Sequence, residues 1–212
     1  MLDERRKHIL EIVVREYIKT AEPVSSMQVA GRVKTMSPAT VRNIFSDLTE
    51  DEYIEQPHVS GGRVPKSRAY RVFVNEILDK ETELSARLSE VSKIRERQKE
   101  LARRFRVISR FGNLMPIGFD EVFMEPEFTA PSLIQEFGKF LDEFETHKER
   151  YRESLEENPF GIWIGEENKI QPTRHLSVIV GRDTDDDLYF VAGPMRMQYE
   201  GIIPLIKLWQ KM

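Results

Sequence analysis

The stretch Met36-Ser37-Pro38-Ala39-Thr40-Val41-Arg42-Asn43 begins a helix and presents an outward row of mostly hydrogen-bonding side chains. Ser37 has the character of an N-cap, Pro38 suits the first helical position, and Met36 ahead of the cap can staple onto Val41. Val41, Ile44, Phe45 and Leu48 recur at helical spacing on one face, which leaves Ala39, Thr40, Arg42, Asn43 and Ser46 facing outward. The chemistry of such a face is non-covalent. Arginine and asparagine forks match the edges of guanine and adenine, while hydroxyls and helix amides match phosphate. Past Ser46 the helix turns acidic through Asp47, Glu50, Asp51 and Glu52, so only its N-terminal half suits a polyanion. A solvated helix face is the alternative reading of the same residues.

A second group of candidates follows in the glycine-tipped loop Pro57-His58-Val59-Ser60-Gly61-Gly62-Arg63. Ser60, Gly61 and Gly62 allow close backbone approach, and Arg63, Lys66 and Arg68 supply charge for phosphate, with a minor-groove contact also open to Arg63. A plain hairpin tip is the alternative. His58 fits DNA contact, pH sensing or a structural post at the base of the loop. The expected DNA-binding set is therefore Ser37, Ala39, Thr40, Arg42, Asn43, Ser60, Gly61, Gly62, Arg63, Lys66 and Arg68.

Other chemistries find little support. His147 and His175 lie far apart, without cysteines or metal-protease spacing, and Asp183, Asp185, Asp186 and Asp187 lack calcium-loop spacing, so a solvated turn is expected there. No nucleophile with a base and no phosphate loop is recognisable, and neither catalysis nor a cofactor or metal is expected. The absence of cysteine excludes disulfides and thiolate metal sites and fits a reducing cytoplasm. The start reads as an amphipathic helix rather than a signal core, and no apolar run approaches membrane-spanning length. A soluble, intracellular protein with no membrane partner is expected.

The net charge of -4 is unevenly spread. Residues 1–80 carry 13 Lys+Arg against 12 Asp+Glu, residues 81–111 carry 9 against 5, and residues 112–212 carry 10 against 19. Within 31–43 and 60–71 there are seven bases and no acid: Arg32, Lys34, Arg42, Arg63, Lys66, Arg68 and Arg71. Local sign outweighs the total, because attraction to phosphate acts over roughly a Debye length of about 10 Å.

The elements that must position these residues follow from periodicity. A helix is expected from about Asp3 to Lys19, with Ile9, Leu10, Val13, Val14, Tyr17 and Ile18 as its buried stripe, and Glu22-Pro23 breaks it. A second begins at Ser25, where Ser25 and Gln28 form a capping box, and ends near Gly31 to Val33. The helix at Ser37 is third. Tyr53 to Gln56 and Val64-Pro65 then form a small hairpin, and a fourth helix follows Ser67 with Tyr70, Phe73, Val74, Ile77 and Leu78 on one face. Three helices and a small hairpin make a winged helix-turn-helix.

Ser37-Pro38-Ala39-Thr40-Val41-Arg42-Asn43, Glu55-Gln56-Pro57-His58, Ser60-Gly61-Gly62-Arg63-Val64-Pro65 and Glu22-Pro23-Val24-Ser25-Ser26 resemble the N-terminal domain of the HrcA heat-inducible transcription repressors, over about residues 2–78. Glu125-Pro126-Glu127-Phe128, Ile164-Gly165-Glu166-Glu167-Asn168 and Gly193-Pro194-Met195-Arg196-Met197-Gln198-Tyr199 resemble pieces of that family's C-terminal half in the same order. The resemblance implies a homodimeric repressor of chaperone genes that binds double-stranded DNA at an inverted-repeat operator, with its activity tied to the chaperonin. The alternative is a winged helix serving as a protein-interaction or scaffold module. Three departures stand out: the family's GAF-like middle region with its dimerisation segment is reduced to Gly112–Thr129, Glu52 stands where the family tends to have glycine before the Tyr, and Pro204 interrupts the expected terminal helix.

The expected fold is mainly α with α+β. It comprises a winged helix-turn-helix domain over 1–80, a linker and dimerisation helix over 81–111, and a small α+β GAF-like remnant over 112–212 with a regulatory or dimerising role. In the linker, Leu84, Val91, Gln98 and Phe105 share one heptad position, and Ile94, Leu101 and Ile108 the other, which makes Leu84, Val91, Ile94, Leu101, Phe105 and Ile108 a candidate two-helix dimer seam. Packing of the same stripe inside the C-terminal domain is the alternative. That domain is read as a helix over Leu133–Glu157 and three strands, Phe160–Ile164, Leu176–Arg182 and Leu188–Ala192.

Overall fold

The computed structural model describes residues 2–58, 61–79, 94–170, 173, 175–183 and 186–210. The chain divides into two compact units, Met1–Glu76 and Ile77–Met212. The described part of the expected linker, from residue 94 onward, thus belongs to the second unit.

In the first unit, α1 (Glu4–Thr20) starts where the Asp3 carboxylate accepts the Arg6 N–H, and it stops at Ala21 in the left-handed conformation. Helix α2 (Ser26–Val33) carries the expected reciprocal capping box between Ser25 and Gln28. Helix α3 (Pro38–Glu50) buries Val41, Ile44, Phe45 and Leu48, the stripe read from periodicity. Strands β1 (Ile54–Glu55) and β2 (Val64–Pro65) pair antiparallel, with Ile54 opposite Pro65, and α4 (Ser67–Asp79) follows. Ile9, Val13, Val29, Val41, Leu48, Ile54 and Val74 are fully buried, so the three helices, the hairpin and α4 share one core.

The second unit contains α5 (Ile94–Phe105), β3 (Ile108–Phe111), α6 (Phe119–Val122), a 3₁₀ turn (Pro126–Thr129), α7 (Pro131–His147), α8 (Glu149–Glu153), β4 (Phe160–Ile164), β5 (Leu176–Arg182), β6 (Leu188–Pro194) and α9 (Tyr199–Trp209). The sheet is antiparallel throughout, in the order β3-β6-β5-β4. One face carries Ile108, Val178, Val180, Phe190 and Ala192 against Phe137, Phe140 and Phe144 of α7. The other meets α5 through Gln98 and Ser109, and α9 through Tyr199 and Ser177. Covering on both faces explains why β5 and β6 are buried along nearly their whole length rather than on alternate residues.

Four expectations are corrected here. The linker helix ends at Phe105 rather than 111, because Arg106 adopts φ 52° and turns the chain into β3. Four strands with helices on both faces therefore replace three thinly covered ones. The helix expected over 133–157 breaks after His147, and only the short α8 follows. Pro204 lies inside α9 without ending it. The missing N–H removes one hydrogen bond, which burial of Ile202, Ile203, Leu205 and Ile206 offsets. Among the described residues, no helix is long and apolar enough to cross a membrane.

Candidate nucleic-acid interface

The start of α3 is built as its sequence demands. Ser37 Oγ accepts the Thr40 N–H at 3.1 Å and lies 3.0 Å from Thr40 Oγ1, so both hydroxyls take part in the cap. Ala39, Arg42, Asn43 and Ser46 are exposed, and no hydrogen bond or ion pair to a described residue engages the side chains of Arg42 and Asn43. The acidic end of the helix is tied down instead. Arg6 of α1 reaches Asp47 at 2.7 Å and Asp51 at 3.6 Å, which partly neutralises the carboxylates nearest the polar face.

The end of α3 explains the departure at Glu52. Glu52 N–H donates to the Thr49 carbonyl (3.1 Å) and Tyr53 N–H to the Leu48 carbonyl (2.9 Å), the paired bonds of a Schellman motif. Glu52 holds the left-handed position at φ 59°, where glycine is the unstrained residue, and buried Tyr53 and Leu48 accompany the turn. The helix therefore terminates properly without the glycine.

The basic cluster is less free than its composition suggests. Arg68 Nη1 donates to the Asp51 carbonyl at 2.8 Å, and its guanidinium lies 4.4 Å above the Tyr53 ring, so it caps α3 from the following helix. Lys66 pairs with Glu52 at 3.3 Å, and Arg32 with Glu16 at 2.8 Å. Arg71 also has a partner within the protein. Lys34 is exposed at the left-handed C-cap of α2.

Arg63, expected to supply charge for phosphate or to reach a minor groove, is anchored at the base of the wing. Its N–H donates to the Val24 carbonyl (2.8 Å) and its carbonyl accepts the Val24 N–H (2.9 Å), which stitches the wing to the turn between α1 and α2. Its guanidinium lies 5.8 Å from the centre of the Phe45 ring of α3, with Nε buried and without an acceptor among the described residues. Gly62 serves the same stitch: a Cβ there would lie 2.5 Å from the Val24 carbonyl carbon. The close approach that this glycine permits is to the protein's own backbone. Gly61 packs on His58, which is exposed, and Ser60 lies outside the described residues. Sequence reasoning missed the pairing of Arg6 with Asp47 and Asp51, the contact of Phe45 with Arg63, and the structural use of Arg68. Their signal lies in pairings between distant elements, which spacing within one helix does not reveal.

The dimer-seam residues meet a different outcome. Leu101 and Phe105 are buried, and Ile108 is on β3 in the core beside α7. Gln98, polar at a heptad core position, is 1% exposed, and its amide donates to the carbonyls of Ser109 (2.7 Å) and Met115 (2.9 Å). Leu101, Phe105 and Ile108 are thus committed to the second unit's own core, and their assignment to a two-helix seam is corrected. Leu84, Val91 and the Ile94 side chain lie outside the described residues.

Two of the three C-terminal motifs converge. Arg196 of Gly193–Tyr199 bonds both carboxylates of the Glu125-Pro126-Glu127 turn, and Arg106 adds a 3.0 Å contact to Glu125. Burial opposes the Arg196 charge, but the two carboxylates outweigh it and raise its pKa. In the third motif, Asn168 Oδ1 accepts the buried Tyr151 hydroxyl at 2.7 Å and the Ile170 N–H at 3.1 Å. These contacts are intramolecular, and Asn168 Nδ2 is buried without a hydrogen-bond partner among the described residues. His175 lies beside Glu136 at 3.1 Å, and no group of three or more metal-ligating side chains occurs among the described residues.

Comparison with known proteins bears on both units. The family model described as the winged helix-turn-helix transcription repressor, HrcA DNA-binding domain matches residues 1–79, and the HrcA protein C-terminal domain model matches residues 66–203. The heat-inducible transcription repressor HrcA of Desulforudis audaxviator is 50% identical over 82 residues, covering 38% of this chain and 24% of the relative. That of Pelotomaculum thermopropionicum is 43% identical over 132 residues, covering 61% and 37%. The matched stretches thus span well under half the length of these relatives. A crystal structure described as a hypothetical protein at 2.2 Å resolution superposes with TM-score 0.76 at 16% identity, covering 100% of this chain and 97% of the other, and shows a shared fold.

Proposed function

The chain belongs to the HrcA family, and on that premise we propose that it is a DNA-binding transcription repressor of heat-shock genes that acts in the cytoplasm on an inverted-repeat operator. The observation that carries this reading is the N-terminal half of α3: a capped, exposed helix face whose Arg42 and Asn43 side chains have no partner among the described residues, followed by an acidic half in which Arg6 pairs with Asp47 and Asp51. Such a helix suits end-on entry into the major groove. An inverted repeat requires a two-fold dimer. With Leu101, Phe105 and Ile108 used internally, the subunit contact falls to other surfaces. The antiparallel sheet between helical layers supports reading the second unit as a reduced GAF-like domain, through which a chaperonin would act.

The scaffold reading draws support from one observation: Arg32, Lys66 and Arg68 are engaged within the protein, which thins the electrostatic footprint. Selection of bound sites from genomic DNA, followed by salt titration of the winning duplex, separates the two. Repression predicts an inverted repeat near chaperone genes and affinity that falls steeply with salt. Equal, weak binding to every duplex would favour the scaffold.

A further inference from the structure

Resting on the DNA-binding reading above, we infer that Arg42 and Arg63 divide recognition between them: Arg42 reads a guanine edge in the major groove, and Arg63 holds a backbone phosphate beside the same helix. Three arginines stand on α3 and around the wing, namely Arg42, Arg63 and Arg68. Arg68 is bound to the Asp51 carbonyl and stacked on Tyr53, so its work is internal.

Arg42 is exposed in the second turn of α3, and no carboxylate or carbonyl among the described residues engages its side chain. Its neighbours on the outward face, Ala39, Asn43 and Ser46, are short. Arg42 alone on that face combines reach with a planar pair of donors, the geometry that matches guanine O6 and N7. The flanking helix end cannot capture it, because Asp47 and Asp51 already face Arg6.

Arg63 has the opposite character. Two backbone bonds to Val24, the packing of Gly62 and the Phe45 ring hold it in place, and its Nε is turned into the protein. A guanidinium fixed in this way cannot search base edges, yet no anion among the described residues neutralises it. Its terminal nitrogens remain as donors for an anion, and the anion that runs beside a helix in the major groove is the phosphate backbone. Because the ring it rests on belongs to α3, a phosphate held there also sets the depth of the reading helix.

The test selects bound sites from random-sequence duplexes with the full chain, as wild type, Arg42→Ala and Arg63→Ala, and then titrates salt. Arg42→Ala should flatten the preference for guanine at one position per half-site, a loss of roughly 5- to 150-fold in discrimination. Replacing that guanine by an analogue with carbon in place of N7 should weaken the wild type but not Arg42→Ala. Arg63→Ala should keep the preference, lower affinity for selected and scrambled duplexes alike, and reduce the log–log salt slope by about 0.9. Arg63→Lys, which retains the charge, should keep the slope and guards against misfolding of the alanine variant. An Arg42→Ala protein with wild-type preference at every position overturns the base-reading assignment. An altered preference or an unchanged salt slope in Arg63→Ala overturns the phosphate assignment. A wild type that enriches no sequence is a different result and removes the DNA-binding reading itself.

Discussion

Glu52 occupies φ 59° with a side chain that gains little from being there, since its ion pair with Lys66 leaves it 74% exposed and screened by solvent. The left-handed region costs a non-glycine residue roughly 1–2 kcal/mol, part of which glycine gives back as unfolded-chain entropy. Glu52→Gly should therefore stabilise the first unit by about 1 kcal/mol, seen as a higher urea midpoint with unchanged slope. A lower midpoint would mean that the Schellman turn is not strained at this residue.

At the level of elements, α5 and β3 form one packed corner rather than an exposed rod. Leu101 has no exposed surface, and Gln98 is bonded to β3 and to the loop after it. A charge at Leu101 therefore tests core packing. Leu101→Glu should cost several kcal/mol by burying an unpaired carboxylate and should unfold the second unit. Circular dichroism and sedimentation read together distinguish this from a seam: a well-folded monomer, with helix content intact, would restore the linker helix as the subunit contact.

For the whole molecule, two units with separate cores predict two unfolding transitions. Leu48→Ala removes a side chain with no exposure from α3, and Leu133→Ala one that is 1% exposed in α7. Each should cost about 2–5 kcal/mol, and in calorimetry of the full chain each should lower only its own transition. A single transition shifted by both variants would show that the units unfold together.

The local code determined much of the first unit. A capping box at Ser25 and Gln28, the N-cap at Ser37 with proline after it, and the stripe from Val41 to Leu48 act over three or four residues, so they are legible in order along the chain. The family motifs likewise marked the polar clusters of the second unit, because Glu125, Glu127, Asn168 and Arg196 each stand in a recognisable short run. Tertiary structure decided what those residues do. The nearness of Arg63 to Phe45, the bond from Arg68 to the end of α3, and the carboxylates that surround Arg196 all depend on elements far apart in sequence. The heptad pattern through Ile108 misled for the same reason: one left-handed residue, Arg106, turns the chain into a strand, and Ile108 is then buried against α7 and the sheet. Apolar spacing reports that a face will be buried, and only the packed fold decides against what.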